Sequence, residues 1–211
     1  MMKIEWCKFN QPVAYEQALQ MMEQHVNDII FHSAPERVLL LEHPHIYTAG
    51  TSAAADELIA DMAPVIYTGR GGKITYHGPG QKVIYPILNL NLPHRIADIR
   101  GYIQDLQQWI INSLRRINID AYIMPGMVGV WVDAGRMPAK ICAIGIRARK
   151  WVTYHGVALN VKPDLTYFTG IVPCGLKDYH VTSIAALGVD VADAEIDLIL
   201  KEEFQKIFTY S

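Results

Sequence analysis

Residues 140 to 161 read Lys140-Ile-Cys-Ala-Ile-Gly-Ile-Arg-Ala-Arg-Lys-Trp-Val-Thr-Tyr-His-Gly-Val-Ala-Leu-Asn-Val161. Two runs rich in aliphatic and β-branched residues, Ile141 to Ala148 and Trp151 to Val161, flank the charged pair Arg149-Lys150. The stretch is therefore expected to form a hairpin turned near that pair. Upstream, Pro125 and Gly126 precede a further strand, Val128 to Val132. Before it, Ile99, Tyr102, Ile103, Leu106, Ile110, Leu114 and Ile117 mark one stripe of a long helix over Ile96 to Ile117, whose role is core packing. Nearer the amino terminus, Leu19, Met22, Val26 and Ile29 or Ile30 predict an amphipathic helix over Ala14 to Ile30, ended near Pro35. Short strands are expected at Val38 to Glu42, Val65 to Thr68, Ile74 to His77 and Lys82 to Leu88. Downstream, Thr182 or Ser183 caps a short helix through Leu187, and Ala194 to Phe208 forms a last amphipathic helix. Helices flanking a hairpin-rich sheet define an α+β fold, and 211 residues without repeat or linker suit one domain, 1–211.

A formal charge of −2 argues against a nucleic-acid partner, and Arg147, Arg149 and Lys150 read as the solvated turn of the hairpin. Neither a signal peptide nor a membrane-spanning window is present, so a cytoplasmic protein is expected. Cys7, Cys142 and Cys174 make neither an even set nor a Cys-x-x-Cys pair, and free thiols in a reducing compartment fit them best.

The run Arg70-Gly-Gly-Lys-Ile-Thr-Tyr-His-Gly-Pro-Gly-Gln81 sets four glycines among Arg70, Lys73, Thr75, His77 and Gln81. Glycine lets a ligand approach the main chain, so the run reads as a binding loop, a mobile lip on a rigid frame of strands. A plain glycine-rich hairpin would share the local pattern. It is not a Walker loop, because Ile74 follows Gly72-Lys73 where Ser or Thr must hold magnesium, nor is it a Gly-x-Gly-x-x-Gly turn. His43, His45, His77 and His155 lack a metal-ligand spacing, so no metal is expected.

Pro173-Cys-Gly-Leu176 puts Cys174 in a turn, where a thiol can meet a substrate. A nucleophilic cysteine needs a cation or base nearby to raise its thiolate fraction, and Lys140 and His77 are the candidates. Lys140 opens an otherwise apolar strand, either as a rim charge or as a group aimed into a cavity. Alternation places Cys142 on the same face as Lys140, which makes it a competing nucleophile, although its aliphatic neighbours suit a buried, inert thiol.

Taken in order, Glu42-His-Pro-His, Thr48-Ala-Gly, Arg70 to Gln81, Lys140 to Ile146, Tyr154 to Val161 and Pro173-Cys-Gly-Leu resemble the octanoyltransferases of protein lipoylation over nearly the whole chain. The resemblance implies a mixed sheet flanked by helices, similar to the catalytic domain of biotin and lipoate protein ligases. It implies transfer of an octanoyl group from octanoyl acyl carrier protein to a lysine of lipoyl domains, those of 2-oxo acid dehydrogenases and the glycine cleavage H protein, with no cofactor. Carried over by position, Cys174 would bear the acyl group and Lys140 would lower its pKa. The acyl-binding surfaces would be Arg70, Gly71, Gly72, Lys73, Ile74, Thr75, Tyr76 and His77, then Ala143, Ile144 and Gly145, then Gly156, Val157 and Ala158. Ile141, Ile144, Val157 and Leu159 either line an apolar slot or pack the core. Backbone N–H groups of Gly71, Gly72 or Gly175, with His77, are candidate oxyanion donors. Three rivals remain: an ATP-dependent lipoate or biotin ligase, separated by its need for ATP; a non-catalytic acyl or carrier-protein binding module, in which Cys174 is dispensable; and an amidotransferase that moves octanoyl between two lipoyl-type domains, separated by competition between donors.

Overall fold

The computed structural model of the chain describes residues 4–93, 95, 97–135, 137–172 and 180–209. Its strands are β1 (Glu5–Lys8), β2 (Arg37–Leu41), β3 (Ile46–Ala49), β4 (Val65–Tyr67), β5 (Ile74–His77), β6 (Gln81–Ile87), β7 (Ala121–Tyr122), β8 (Val130–Ala134), β9 (Met137–Arg149), β10 (Val152–Asn160) and β11 (His180–Val181). Three α-helices, α1 (Tyr15–His32), α2 (Ile99–Arg115) and α3 (Asp193–Phe208), pack against them.

Among the described residues the main sheet runs β1-β2-β6-β10-β9-β8-β7, with β11 laid against β9, and the small sheet runs β4-β3-β5. Parallel pairs β1–β2, β9–β11 and β3–β4 sit among antiparallel ones, so both sheets are mixed. The expected hairpin is β9–β10, centred on Gly145 opposite Gly156. Lys150 and Trp151 take φ of 49° and 66°, as a two-residue turn matched to strand twist requires. No helix among the described residues is long and apolar enough to cross a membrane.

Helices α2 and α3 cover one face of the main sheet, where Trp109 meets Phe204 edge-on at 5.1 Å and donates its indole N–H to the Leu200 carbonyl at 2.8 Å. Helix α1 covers the other face over Leu39, Leu41, Val83 and Tyr85. A third cluster, with Tyr47, Ile74, Tyr76 and Phe168, fills the small sheet. Helix α2 starts at Ile99 rather than Ile96 because the Asp98 carboxylate accepts the Arg100 N–H at 2.9 Å, an Asx cap that sets the boundary. Helix α1 continues to His32, two residues past the expected end, and closes on Ser33 at φ 51°, with the Ala34 N–H returning to the Asp28 carbonyl. The expected short helix before Leu187 is a 3-10 turn, Ala185–Leu187, with Ser183 Oγ accepting the Ala186 N–H.

Candidate functional site

A cavity of about 220 Å³ lies on the α1 face of the main sheet. Its wall combines Arg70, Gly72, Lys73, Thr75 and His77 from the glycine loop and β5 with Val83 and Tyr85 from β6. Strand β9 adds Lys140, Ala143, Ile144 and Gly145, and β10 adds His155, Gly156, Val157 and Ala158. All three expected surfaces therefore converge. Gly71 is not among the lining residues, and Ile74 and Tyr76 do not take part either, because on β5 they alternate away from the cavity into the third core cluster. Ile144 and Val157 line it while also packing on the α2–α3 core cluster, whereas Ile141 and Leu159 belong to that core alone. Tyr15, Val83, Tyr85 and the segment Gly126-Met127-Val128 also line it and were not expected there; the Pro125-Gly126 turn was the only local signal for that segment.

The glycine loop is tied down rather than free. Gly71 donates its N–H to the Ile146 carbonyl at 3.0 Å, and the Arg70 and Gly72 carbonyls accept from Thr51 and Ser52 at 3.0 and 3.1 Å. The buried Arg70 guanidinium donates to the Thr48 carbonyl at 2.5 Å, to Thr48 Oγ1 at 2.8 Å and to the Gly71 carbonyl at 3.0 Å. Gly50 allows this closeness, since a Cβ there would lie 2.3 Å from the Gly72 carbonyl oxygen. These bonds replace the expected mobile lip with a fixed wall. They also remove Gly71 as an oxyanion donor, because its one N–H is committed. Lys73 is paired at 2.5 Å with Glu57, a buried carboxylate whose other oxygen accepts the Ile74 N–H and whose backbone carbonyl holds the Val172 N–H.

Lys140 is 6% exposed, and its ammonium lies 4.8 Å over the Trp131 ring, so it is a cavity group rather than a rim charge. Its carbonyl accepts the Thr182 N–H at 3.0 Å while Val181 runs parallel beside it. Gly129 leaves it room: a Cβ there would lie 3.1 Å from Lys140 Cε.

Cys142 does not share that face. Val130 pairs with Cys142 but Trp131 pairs with Lys140, which leaves Ile141 unmatched in a β-bulge. The extra residue reverses the alternation and sends both Ile141 and Cys142 into the α2–α3 core. There the Cys142 thiol is fully buried and donates to the Ala143 carbonyl at 3.5 Å. Burial pushes its pKa up to about 12, only partly offset by a backbone hydrogen bond and the charge of Lys140. The expectation that Lys140 and Cys142 face together is thus overturned. Cys7 is half-buried beside the α1 cluster and does not line the cavity. Cys174 and its Pro-Cys-Gly-Leu block lie outside the described residues.

Three imidazoles lie close together: the His43 and His77 rings are 5.6 Å apart, and the charge of Arg70 acts on His77 and His155. His43 holds the Val13 carbonyl at 2.6 Å through Nδ1 and Tyr85 OH at 2.7 Å through Nε2. Burial lowers its pKa to about 4. His155 sits at φ 58°, a strained angle for a residue with a side chain, and burial, then the charges of Arg70 and Arg147, lower it to about 3. Burial, with His43 and Arg70 next, also holds His77 well below the ordinary range. All three are neutral at pH 7. Among the described residues no group of three or more His, Cys, Asp or Glu side chains could hold a metal ion.

An apolar cavity floored by neutral imidazoles, walled by a fixed glycine loop and carrying one buried lysine is built to hold a flexible apolar chain by its reactive end. Fold and site together define a catalytic domain of the acyl-attaching kind. The chain belongs to the lipoyl protein ligase A/B catalytic domain family, whose model matches residues 14–205. It is 53% identical to an octanoyltransferase of Rickettsia bellii over 93% of this chain and 95% of that protein. It is 52% identical to an octanoyltransferase of Wolbachia pipientis over 97% of this chain and 99% of the other. In fold it is similar to a bi-partite lipoate protein ligase of Thermoplasma acidophilum, with a TM-score of 0.73 at 19% identity over 98% of this chain and 84% of that one.

Proposed function

We propose that this chain, as one catalytic domain over residues 1–211, moves an octanoyl group from octanoyl acyl carrier protein to a lysine of lipoyl domains through a thioester on Cys174. Its relatives named octanoyltransferases support the reaction, and the site supports the assignment of groups. The observation that carries it is the buried Lys140 ammonium in an apolar cavity that neither Cys7 nor Cys142 reaches, which leaves Cys174 as the thiol to be charged.

The Cys174 thiolate attacks the donor thioester; its C–S bond forms and the C–S bond to pantetheine breaks. Lys140 gives the departing thiolate a proton and becomes a neutral amine. An acceptor lysine with a pKa of about 10.4 is neutral in only about 0.04% of molecules at pH 7, so it needs a base. Lys140 takes its proton, the amine displaces Cys174, and one proton leaves to solvent overall. The donor is already activated, so no ATP is consumed. The lipoyl domains of 2-oxo acid dehydrogenases and the glycine cleavage H protein are the acceptors of this reading, and the cytoplasm its setting.

Intact-protein mass spectrometry after mixing with octanoyl acyl carrier protein, without ATP, tests it. An octanoyl adduct present in the parent and in Cys142→Ala but lost in Cys174→Ala is the expected result. Labelling only with free octanoic acid and ATP would move the chain to the ligase reading.

A further inference from the structure

A buried chain of hydrogen bonds crosses the sheet behind the cavity. His77 Nδ1 lies 2.7 Å from Gln81 Oε1, Gln81 Nε2 lies 2.9 Å from Asn160 Oδ1, and Asn160 Nδ2 lies 2.9 Å from the Thr182 carbonyl. Gln81 Nε2 also meets the Tyr76 carbonyl at 3.2 Å. All three side chains are at least 95% buried.

Two backbone carbonyls, which can only accept, dictate the direction of this chain. The Thr182 carbonyl requires the Asn160 NH2, so Asn160 Oδ1 faces Gln81 as an acceptor. Gln81 then spends both amide hydrogens, one on Asn160 and one on the Tyr76 carbonyl, and turns Oε1 to the histidine. An amide oxygen has no proton to give, so Nδ1 of His77 must carry the hydrogen. Nε2 is left with a lone pair, has no partner among the described residues, and is not sealed from solvent as His155 Nε2 is. His77 lines the cavity.

We propose that Gln81 and Asn160 are positioning residues that lock His77 as the Nδ1–H tautomer, so that it offers the cavity a bare Nε2 acceptor and binds a substrate N–H rather than the reaction's oxyanion. This reverses the expectation that His77 donates to the oxyanion: a lone pair would repel the developing charge. Resting on the transfer reading above, it confines His77 to the substrate groups that carry N–H, namely the amide of the pantetheine arm and the amine of the acceptor lysine. The far end of the chain is pinned beside the catalytic strand, since the Thr182 N–H binds the Lys140 carbonyl. The tautomer and the placement of Lys140 therefore share one anchor.

The first arm needs no substrate, so its failure is separate from failure of the transfer reading. Protein labelled with 15N on histidine rings, assigned against His77→Gln, is read by long-range 1H–15N correlation. The expected pattern at pH 7 is a protonated Nδ1 and an unprotonated Nε2 for His77; the opposite tautomer or a doubly protonated ring overturns the proposal. In Gln81→Met, a similar-size side chain with no amide oxygen to accept the Nδ1 hydrogen, the two nitrogens should move toward a tautomer mixture, and an unchanged pattern removes the Gln81–Asn160 chain from the mechanism. The second arm uses His77→Phe in single-turnover half-reactions. Slowing of roughly tenfold in charging alone identifies the pantetheine amide, and the same slowing in discharge alone identifies the acceptor amine. Equal slowing of both steps, or of neither, refutes the acceptor role.

Discussion

Alkylating the native protein with iodoacetamide at pH 8 separates the thiols by environment, and the outcome for Cys142 follows from the structure. An unperturbed thiol with a pKa of about 8.5 is ionised in about a quarter of molecules at that pH. With burial holding Cys142 at about 12, its thiolate fraction falls to about one in ten thousand. The shift is upward, so the deficit persists at every pH below 12 and closes only in strong base or on unfolding. Ionisation alone therefore slows Cys142 by about 2,000-fold, and its full burial slows it further, since the reagent must await an opening of the β9–α2 core. Peptide-level mass spectrometry of timed samples, with a urea-unfolded control, reads this directly. Cys142 should stay unmodified while its unfolded control reacts to completion. If native Cys142 reacted within about tenfold of the unfolded rate, the bulge would not be burying it and the geometry argued for β9 would be wrong.

Gly156→Ala would place a Cβ 2.2 Å from the Ile84 carbonyl oxygen and 2.8 Å from Pro86 Cδ, inside the β6–β10 ladder; thermal unfolding should show a loss of about 1–3 kcal/mol or more. Gly145→Ala meets the Gly71 carbonyl oxygen at 3.0 Å and Arg70 Cδ at 3.3 Å, contacts that a small shift relieves. That variant should fold normally yet transfer octanoyl roughly tenfold more slowly, because the displaced loop is the cavity wall. His43, His77 and His155 are all held below their unfolded value, so the unfolded chain binds more protons and stability falls as pH drops below about 6.5. If all three take up a proton on unfolding, urea melts near pH 5 should show a slope of up to about 4 kcal/mol per pH unit, and a flat profile from pH 7 to 5 would contradict their burial as neutral rings.

The helices and the central hairpin were legible because each carries a local signal: the stripe from Ile99 to Leu114, and the charged pair Arg149-Lys150, which falls one residue ahead of the observed turn at Lys150-Trp151. Strands β1, β3, β7 and β11 were not, since each owes its place to a strand it pairs with elsewhere in the chain. Most of the cavity wall could be read from the blocks that share motifs. Tyr15, Val83 and Tyr85 could not, because a residue lining an apolar cavity and one filling a core have the same composition and spacing. The side chosen by Cys142 was beyond reach for a different reason. A bulge is a mismatch in count between β8 and β9, and neither strand alone records it. Asn160 likewise reveals its role only when paired opposite Gln81.

The unmatched Ile141 also decides how β9 tolerates changes in length. With Ile141 and Cys142 both turned to the helices, shortening the strand by either one restores strict alternation while leaving Lys140 and Ala143 aimed as before. Shortening it anywhere between Ala143 and Ile146 instead turns one portion of the strand inside out, trading cavity glycine and alanine for core isoleucine. Indel tolerance along this strand is thus concentrated at a single joint, next to the lysine on which the chemistry depends.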